Sequence, residues 1–189
     1  SITIDENDKS AQYIKYAFRP SDVPPVEQSG ILRTKLYAVS NNNSLLLTDA
    51  TFAEFKNGFS DIVDLDDAGK FVNLNENISL FRQNRNLTAE RRPPLTVKDT
   101  LYYRVWKTTV GSKYMLEFIG KNMVRYGLEG ILIDKYLNTQ TPISLLDTTR
   151  IYFSINNPAS ADIDRFKLVF RPFGGVLPLQ FIQLQATAH

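Results

Sequence analysis

The sequence predicts an all-β protein, an antiparallel β-sandwich of jelly-roll type with about nine to eleven strands. Its 189 residues include 12 Phe and 9 Tyr, and together with frequent Ile, Val, Leu and Thr this composition favours strands. Turn-forming residues recur about every 8–14 residues, a spacing typical of sandwiches. Several segments also alternate apolar and polar side chains with the period of two that half-buried strands show.

Residues 51–59 are the first periodic segment, and their pattern fits two structures. A short helix would place Phe52, Phe55 and Phe59 on one face, with Thr48 or Asp49 as its N-cap. A strand fits the same residues almost as well. Both alternatives stay open at the level of the sequence.

Four later segments alternate clearly and predict strands in the second half of the chain. They are residues 101–107, 114–119, 151–155 and 166–171. The last is the clearest, because Phe166, Leu168 and Phe170 fall on one face of an extended chain.

The length of the chain and one glycine pair suggest the domain organisation. We expect residues 1–172 to form one β-sandwich domain, since this length suits a single sandwich. Phe173-Gly174-Gly175 then begins a short linker, and residues 177–186 have a strand-like pattern of their own. Residues 173–189 are therefore predicted to be a linker and a first strand beyond the domain. Residues 1–8 are too polar for a signal peptide, so an exported protein would carry its signal upstream or have lost it.

Composition and charge exclude several classes of protein. Lys and Arg total 22 and Asp and Glu total 20, and a formal net charge of +2 argues against a nucleic-acid partner. There is no Cys and the one His is His189, which excludes a Ser–His–Asp triad, thiolate catalysis and Cys-ligated or multi-His metal sites. No apolar run reaches the length of about 18 residues that predicts a membrane helix, so no membrane insertion is expected.

The densest polar cluster, residues 61–70, is a candidate calcium site. Asp61, Asp64, Asp66 and Asp67 could supply oxygen ligands to one Ca²⁺, although their spacing does not match an EF-hand. The alternative is a solvated loop in which the Asp side chains cap backbone amides and Gly69 adopts a positive φ.

The strand over residues 101–107 is a candidate carbohydrate-binding surface. Tyr102 and Trp106 flank Arg104 on one face, and a sugar ring can stack on such aromatic side chains while a charged group bonds its hydroxyls. The alternative is that this face points inward and belongs to the core.

Four arginines form a local basic stretch before Pro93-Pro94. They are Arg82, Arg85, Arg91 and Arg92. Because Glu90 and the acidic loop at 61–70 are near, we interpret the stretch as a solvated hairpin.

Several sequence blocks resemble a known module. They are residues 64–70, 73–80, 91–95, 114–118, 134–143, 159–170 and 176–181. Together they resemble the β-sandwich module that precedes the C-terminal sorting domain in large surface proteins of Bacteroidota, which the type IX secretion system exports. The resemblance covers about residues 30–186, and its most specific parts are Asp134-Lys135-Tyr136-Leu137-Asn138-Thr139 and Asp164-Arg165-Phe166-Lys167-Leu168-Val169-Phe170. Leu177-Pro178-Leu179-Gln180-Phe181 resembles the linker and first strand that lead into the sorting domain.

The resemblance implies an extracellular or cell-surface location and export by the type IX machinery as part of a parent protein. It supplies no catalytic motif. The same blocks also carry fold markers: Asp134 and Asp164 fall at strand ends, where carboxylates can accept from loose amides. Tyr136 and Phe166 are expected to pack at corners.

Three functions follow from these observations. The first is a non-catalytic stalk or adhesion module of a large bacterial surface protein. The second is a carbohydrate-binding module that uses exposed aromatic residues, with a structural calcium and a polysaccharide or cell-surface glycan as partner. The third is a glycoside hydrolase-type domain that works with carboxylates alone.

Overall fold

The computed structural model describes residues 28–174, and this part of the chain contains eleven strands, two short 3₁₀ turns and no α-helix. The strands are β1 (Gly30–Val39), β2 (Leu45–Phe55), β3 (Ala68–Gly69), β4 (Asn77–Arg82), β5 (Arg85–Arg92), β6 (Thr100–Trp106), β7 (Lys113–Lys121), β8 (Leu128–Asp134), β9 (Thr139–Ile143), β10 (Thr148–Ser154) and β11 (Phe166–Pro172). The 3₁₀ turns are Val124–Tyr126 and Pro158–Ala161. The all-β prediction is confirmed.

All eleven strands belong to one sheet. Its strand order is β10-β7-β1-β2-β5-β4-β6-β11-β8-β9, with β3 paired to β5 beside this path. The pair β2–β5 is parallel and every other pair is antiparallel. The sheet is therefore mixed, whereas the sequence predicts a purely antiparallel one.

The sheet curls until its two edges are neighbours. The edge strands β9 and β10 are joined by only four residues, 144–147. Side chains from distant strands meet inside the curl: the rings of Tyr103 and Phe118 lie 5.8 Å apart edge to face, and Thr34 Oγ1 donates a 2.9 Å hydrogen bond to Tyr103 Oη. One continuous core results, in which both halves of the sheet bury their inner faces.

The alternating segments form strands as predicted. In β11 the side chains of Phe166, Leu168 and Phe170 are buried. Residues 51–59 do not form a helix, because residues 51–55 complete β2, which is hydrogen-bonded to β1 on one side and to β5 on the other. The helical alternative for this segment is wrong.

A tight hairpin connects β4 to β5. Gln83 and Asn84 form the turn with φ of 45° and 61°, and Arg82 pairs with Arg85 across it. Two central residues with positive φ are what a two-residue hairpin loop needs, since that backbone twist matches the twist of the strands. The predicted hairpin is confirmed.

A buried ion pair joins β8 to the start of β11. Arg165 Nε and Nη2 donate to Asp134 Oδ1 and Oδ2 at 2.9 and 2.7 Å. Asp134 Oδ1 also accepts from the amides of Tyr136 and Leu137, the role expected of a carboxylate at a strand end. The pair fixes the corner that carries Lys135 and Asp164. Both residues line the cleft described in the next subsection.

The predicted linker and strand over 173–189 lie outside the described residues, except for Phe173 and Gly174. Within residues 28–174, no helix has the length and apolar composition needed to span a membrane.

Candidate functional site

The outward face of β6 carries the three residues of the predicted carbohydrate surface. Leu101, Tyr103 and Val105 are buried in the core, so Tyr102, Arg104 and Trp106 point away from it. Tyr102 is 48% exposed, whereas Arg104 and Trp106 are half-buried. The alternative in which this face forms the core is wrong.

Arg104 is held by its neighbours. Its guanidinium lies 3.3 Å from the centre of the Phe81 ring, which pairs with Tyr102 across the β4–β6 ladder. Its Nε and Nη2 also donate to the two carboxylate oxygens of Asp164 at 2.7 and 3.4 Å. Two of the five N–H donors of Arg104 are thus used within the protein.

A cleft of about 620 Å³ opens where the β4–β5 hairpin diverges from the start of β6. The hairpin turn lines one wall, and Lys98 and Thr100 line the other. Of the predicted sugar-binding residues, Tyr102 lines this cleft, while Arg104 and Trp106 do not. The structure therefore brings only one of the three residues to the cavity.

Buried charges line the cleft on the hairpin side. Glu90 is only 2% exposed, and its Oε1 accepts from Arg82 Nη1 at 3.0 Å and lies 3.5 Å from Arg92 Nε. Arg92 is also held by the carbonyl of Thr100 at 3.2 Å and by Asp99 at 3.3 Å. Burial raises the pKa of Glu90 above its ordinary value, although the two guanidinium groups pull the pKa in the opposite direction. The interpretation of Arg82 and Arg92 as solvated is wrong, because both side chains pack around Glu90.

Two exposed lysines also line the cleft. Lys98 precedes β6 and Lys135 follows β8. Neither ammonium group has an ion-pair or hydrogen-bond partner in the part of the chain that the structure describes. The remaining carboxylate of the lining, Asp164, is already bound to Arg104. The cleft thus combines an exposed aromatic ring with uncompensated positive charge.

The acidic loop uses its carboxylates to hold its own backbone. Asp64 Oδ1 accepts from the amide of Asp66 at 2.8 Å, and Asp67 Oδ2 accepts from the amide of Asp64 at 2.9 Å. Asp67 Oδ1 accepts from the amide of Arg91 at 2.7 Å, which ties the loop to β5. These are the amide-capping contacts of the solvated-loop alternative.

Asp61 lies apart from these contacts. Its Oδ1 accepts from Arg82 Nη2 at 2.8 Å. Among residues 28–174, no three His, Asp or Glu side chains are grouped so that they could hold a metal ion. Gly69 belongs to β3 and is not among the residues with positive φ, so the predicted positive φ is wrong. Calcium binding by Asp61, Asp64, Asp66 and Asp67 stays a prediction of the sequence alone, while the observed contacts favour the solvated loop.

Thermal unfolding with added calcium and with a chelator tests the calcium site. Because Asp64 and Asp67 already accept hydrogen bonds from backbone amides, we expect the same Tm in both conditions. A calcium ion held at 100 times its Kd would instead stabilise the fold by about 2.7 kcal/mol. The expectation would be contradicted if calcium raised the Tm and the double variant Asp64→Asn/Asp67→Asn no longer showed this increase.

Sequence reasoning missed most of the cleft. Glu90 and Arg92 alternate on β5 and lie beside the buried face of β2, where Ala53 pairs with Glu90. Residues two positions apart on a strand point to the same face, so this spacing indicates that Glu90 and Arg92 are buried together. No comparable pattern in the sequence indicates that Lys98 and Lys135 line the same cleft. The strands that bring them together are far apart in the sequence.

No protein-family model matches the chain, and neither a curated protein nor a solved structure does. The function is therefore argued from the cleft, the fold and the sequence blocks.

Proposed function

We propose that this chain is a non-catalytic module of a large bacterial surface protein, a jelly-roll-like β-sandwich that acts outside the cell as an adhesion or stalk module. The sequence blocks that resemble type IX cargo support this role, together with export through the parent protein. The resemblance supports the proposed location, and the fold supports the mechanical part of the role.

The path of the chain through the sheet is the observation that carries the proposal. β1 is hydrogen-bonded between β2 and β7, and β11 between β6 and β8, so both terminal strands of the described body are held on two sides. Gly30 lies against the side chains of Met123 and Tyr126, and the amide of Phe173 donates to the carbonyl of Gly127 at 2.8 Å. The chain therefore enters and leaves this body beside one turn, an arrangement that suits an adhesion module projecting from its parent better than an in-line stalk.

The cleft favours a second function, a carbohydrate-binding module. Tyr102 offers an exposed ring in a concave site with polar groups around it, the usual composition of a sugar site. An adhesion module needs such a surface, so the two functions are compatible.

The hydrolase alternative is the weakest of the three. The raised pKa of Glu90 is a property that a general acid needs, but ion-pair networks also shift pKa values. Both carboxylates that line the cleft already bind arginines, Glu90 through Arg82 and Asp164 through Arg104. We propose that these carboxylates are structural.

The full chain should bind a polysaccharide without cleaving it. We expect retention in affinity gels that contain the polysaccharide and no release of reducing ends during prolonged incubation. Tyr102→Ala should reduce retention about tenfold, as the loss of one stacked ring predicts. Antibodies to the chain should also label intact cells of the bacterium that carries it.

Trp106→Ala is the matched control, because Trp106 lies on the same face of β6 outside the cleft. Equal losses for the two variants would show that Tyr102 has no special role. Released reducing ends would overturn the non-catalytic proposal, and labelling confined to permeabilised cells would overturn the surface location.

A further inference from the structure

We infer that the cleft beside Tyr102 binds an acidic polysaccharide, one whose sugar rings carry anionic groups, and that carboxylated sugars are its ligands. This inference rests on the carbohydrate-binding function proposed above and specifies its substrate class.

The charge of the cleft is the first reason. Four lining residues are cationic, namely Arg82, Arg92, Lys98 and Lys135, and two are anionic, namely Glu90 and Asp164. Both anions are engaged: Glu90 binds Arg82 at 3.0 Å, and Asp164 binds Arg104, which lies outside the lining. Lys98 and Lys135 consequently keep their charges uncompensated by the described residues, and a neutral sugar would leave them so.

The guanidinium of Arg92 is the buried cation of the cleft and is engaged by the protein itself. Arg92 is only 9% exposed, and its buried Nε–H has no hydrogen-bond acceptor among the described residues. Glu90 Oε1, at 3.5 Å, is the closest approach of an ion-pair partner to that atom. This donor is buried, and Glu90 and Asp99 already place carboxylates beside the guanidinium. The exposed ammonium groups of Lys98 and Lys135 are therefore the cations that an anionic ligand can reach.

The arrangement of ring and charges selects the kind of anion. Tyr102, the exposed ring, shares the cleft with lysines from two different strand ends, before β6 and after β8. A uronic acid presents an apolar ring face for stacking and a carboxylate at the ring edge for an ammonium group. A polymer of such sugars offers a carboxylate on every residue, so it can engage more than one ammonium group of the cleft.

Binding of the full chain to polygalacturonate, alginate, dextran sulfate and neutral dextran tests the inference. We expect binding to the carboxylated polymers that falls at least about fivefold between 50 and 500 mM salt, because exposed charges are screened. Neutral dextran should bind at least about tenfold more weakly. Lys98→Ala/Lys135→Ala should reduce binding to the carboxylated polymers about tenfold.

Lys113→Ala/Lys121→Ala is the matched control, since it removes the same charge from exposed positions at the two ends of β7. Equal losses for the two double variants would overturn the cleft as the site and leave only nonspecific attraction. Preference for dextran sulfate would overturn the carboxylate assignment. Binding to neutral dextran alone through Tyr102 would overturn the acidic ligand and leave carbohydrate binding intact, whereas no binding to any polymer would overturn both. Unchanged Tm values would show that the variants are folded.

Discussion

Asp134→Ala is expected to destabilise the protein by about 3–5 kcal/mol, because it leaves the charge of Arg165 buried without its carboxylate. Arg165 is 2% exposed and donates two hydrogen bonds to the carboxylate of Asp134. Its remaining bonds go to the carbonyl groups of Ser154 and Ser160 at 3.2 and 2.8 Å, which carry no full charge. The variant also removes the acceptor for the amides of Tyr136 and its neighbour.

Urea unfolding of Asp134→Ala, Asp134→Asn and Asp164→Ala measures this effect. Asp164→Ala is the matched control, since Asp164 binds Arg104 in the same two-point manner but its side chain is 47% exposed. Exposed ion pairs contribute about 0–1 kcal/mol to stability, so Asp164→Ala should lower the free energy of unfolding only slightly. Asp134→Asn keeps an acceptor for the amides and should fall between the two alanine variants. If Asp134→Ala loses no more stability than Asp164→Ala, the buried charge of Arg165 is compensated by other groups.

The sequence allowed the strands to be predicted where burial alternates, and β6 and β11 are the clearest cases. Alternation reports only the environment of each side chain along its own strand, and it contains no information about which strand lies beside it. The parallel pairing of β2 with β5 was therefore not predictable, although it brings Glu90 beside the buried face of β2.

The candidate site was predictable only in part, for the same reason. Tyr102 is predictable because it alternates with the buried residues of β6 and lies beside Arg104 on the outward face. Lys98 and Lys135 line the cleft through β6, β11 and β8, which are neighbours in the sheet but separated in the sequence. For the acidic loop the sequence left a calcium site and a solvated loop open, and Asp64 and Asp67 bind amides of their own loop and of β5, as the solvated loop predicts.

Gly120→Ala is expected to have the second large effect, about 3 kcal/mol of destabilisation, because it overpacks the place where the sheet closes. Gly120 lies on β7, and a Cβ at this position would stand 2.6 Å from the carbonyl carbon of Leu145 and even closer to its oxygen. Leu145 is buried within the four residues that join β9 to β10. Backbone atoms cannot rotate away as a flexible side chain can, so the connection itself must move.

Gly69→Ala is the matched control, because Gly69 also lies in a strand and a Cβ there would meet no atom within 4 Å. That variant should be neutral or stabilised by about 0.4–1 kcal/mol, since alanine restricts the unfolded chain. Urea unfolding gives the two free energies, and amide hydrogen exchange locates the damage. Faster exchange in Gly120→Ala should concentrate in β9 and β10, whose joining segment is displaced. If the two glycine variants unfold at the same urea concentration, the connection yields without cost and the closure of the sheet does not depend on the contact between Gly120 and Leu145.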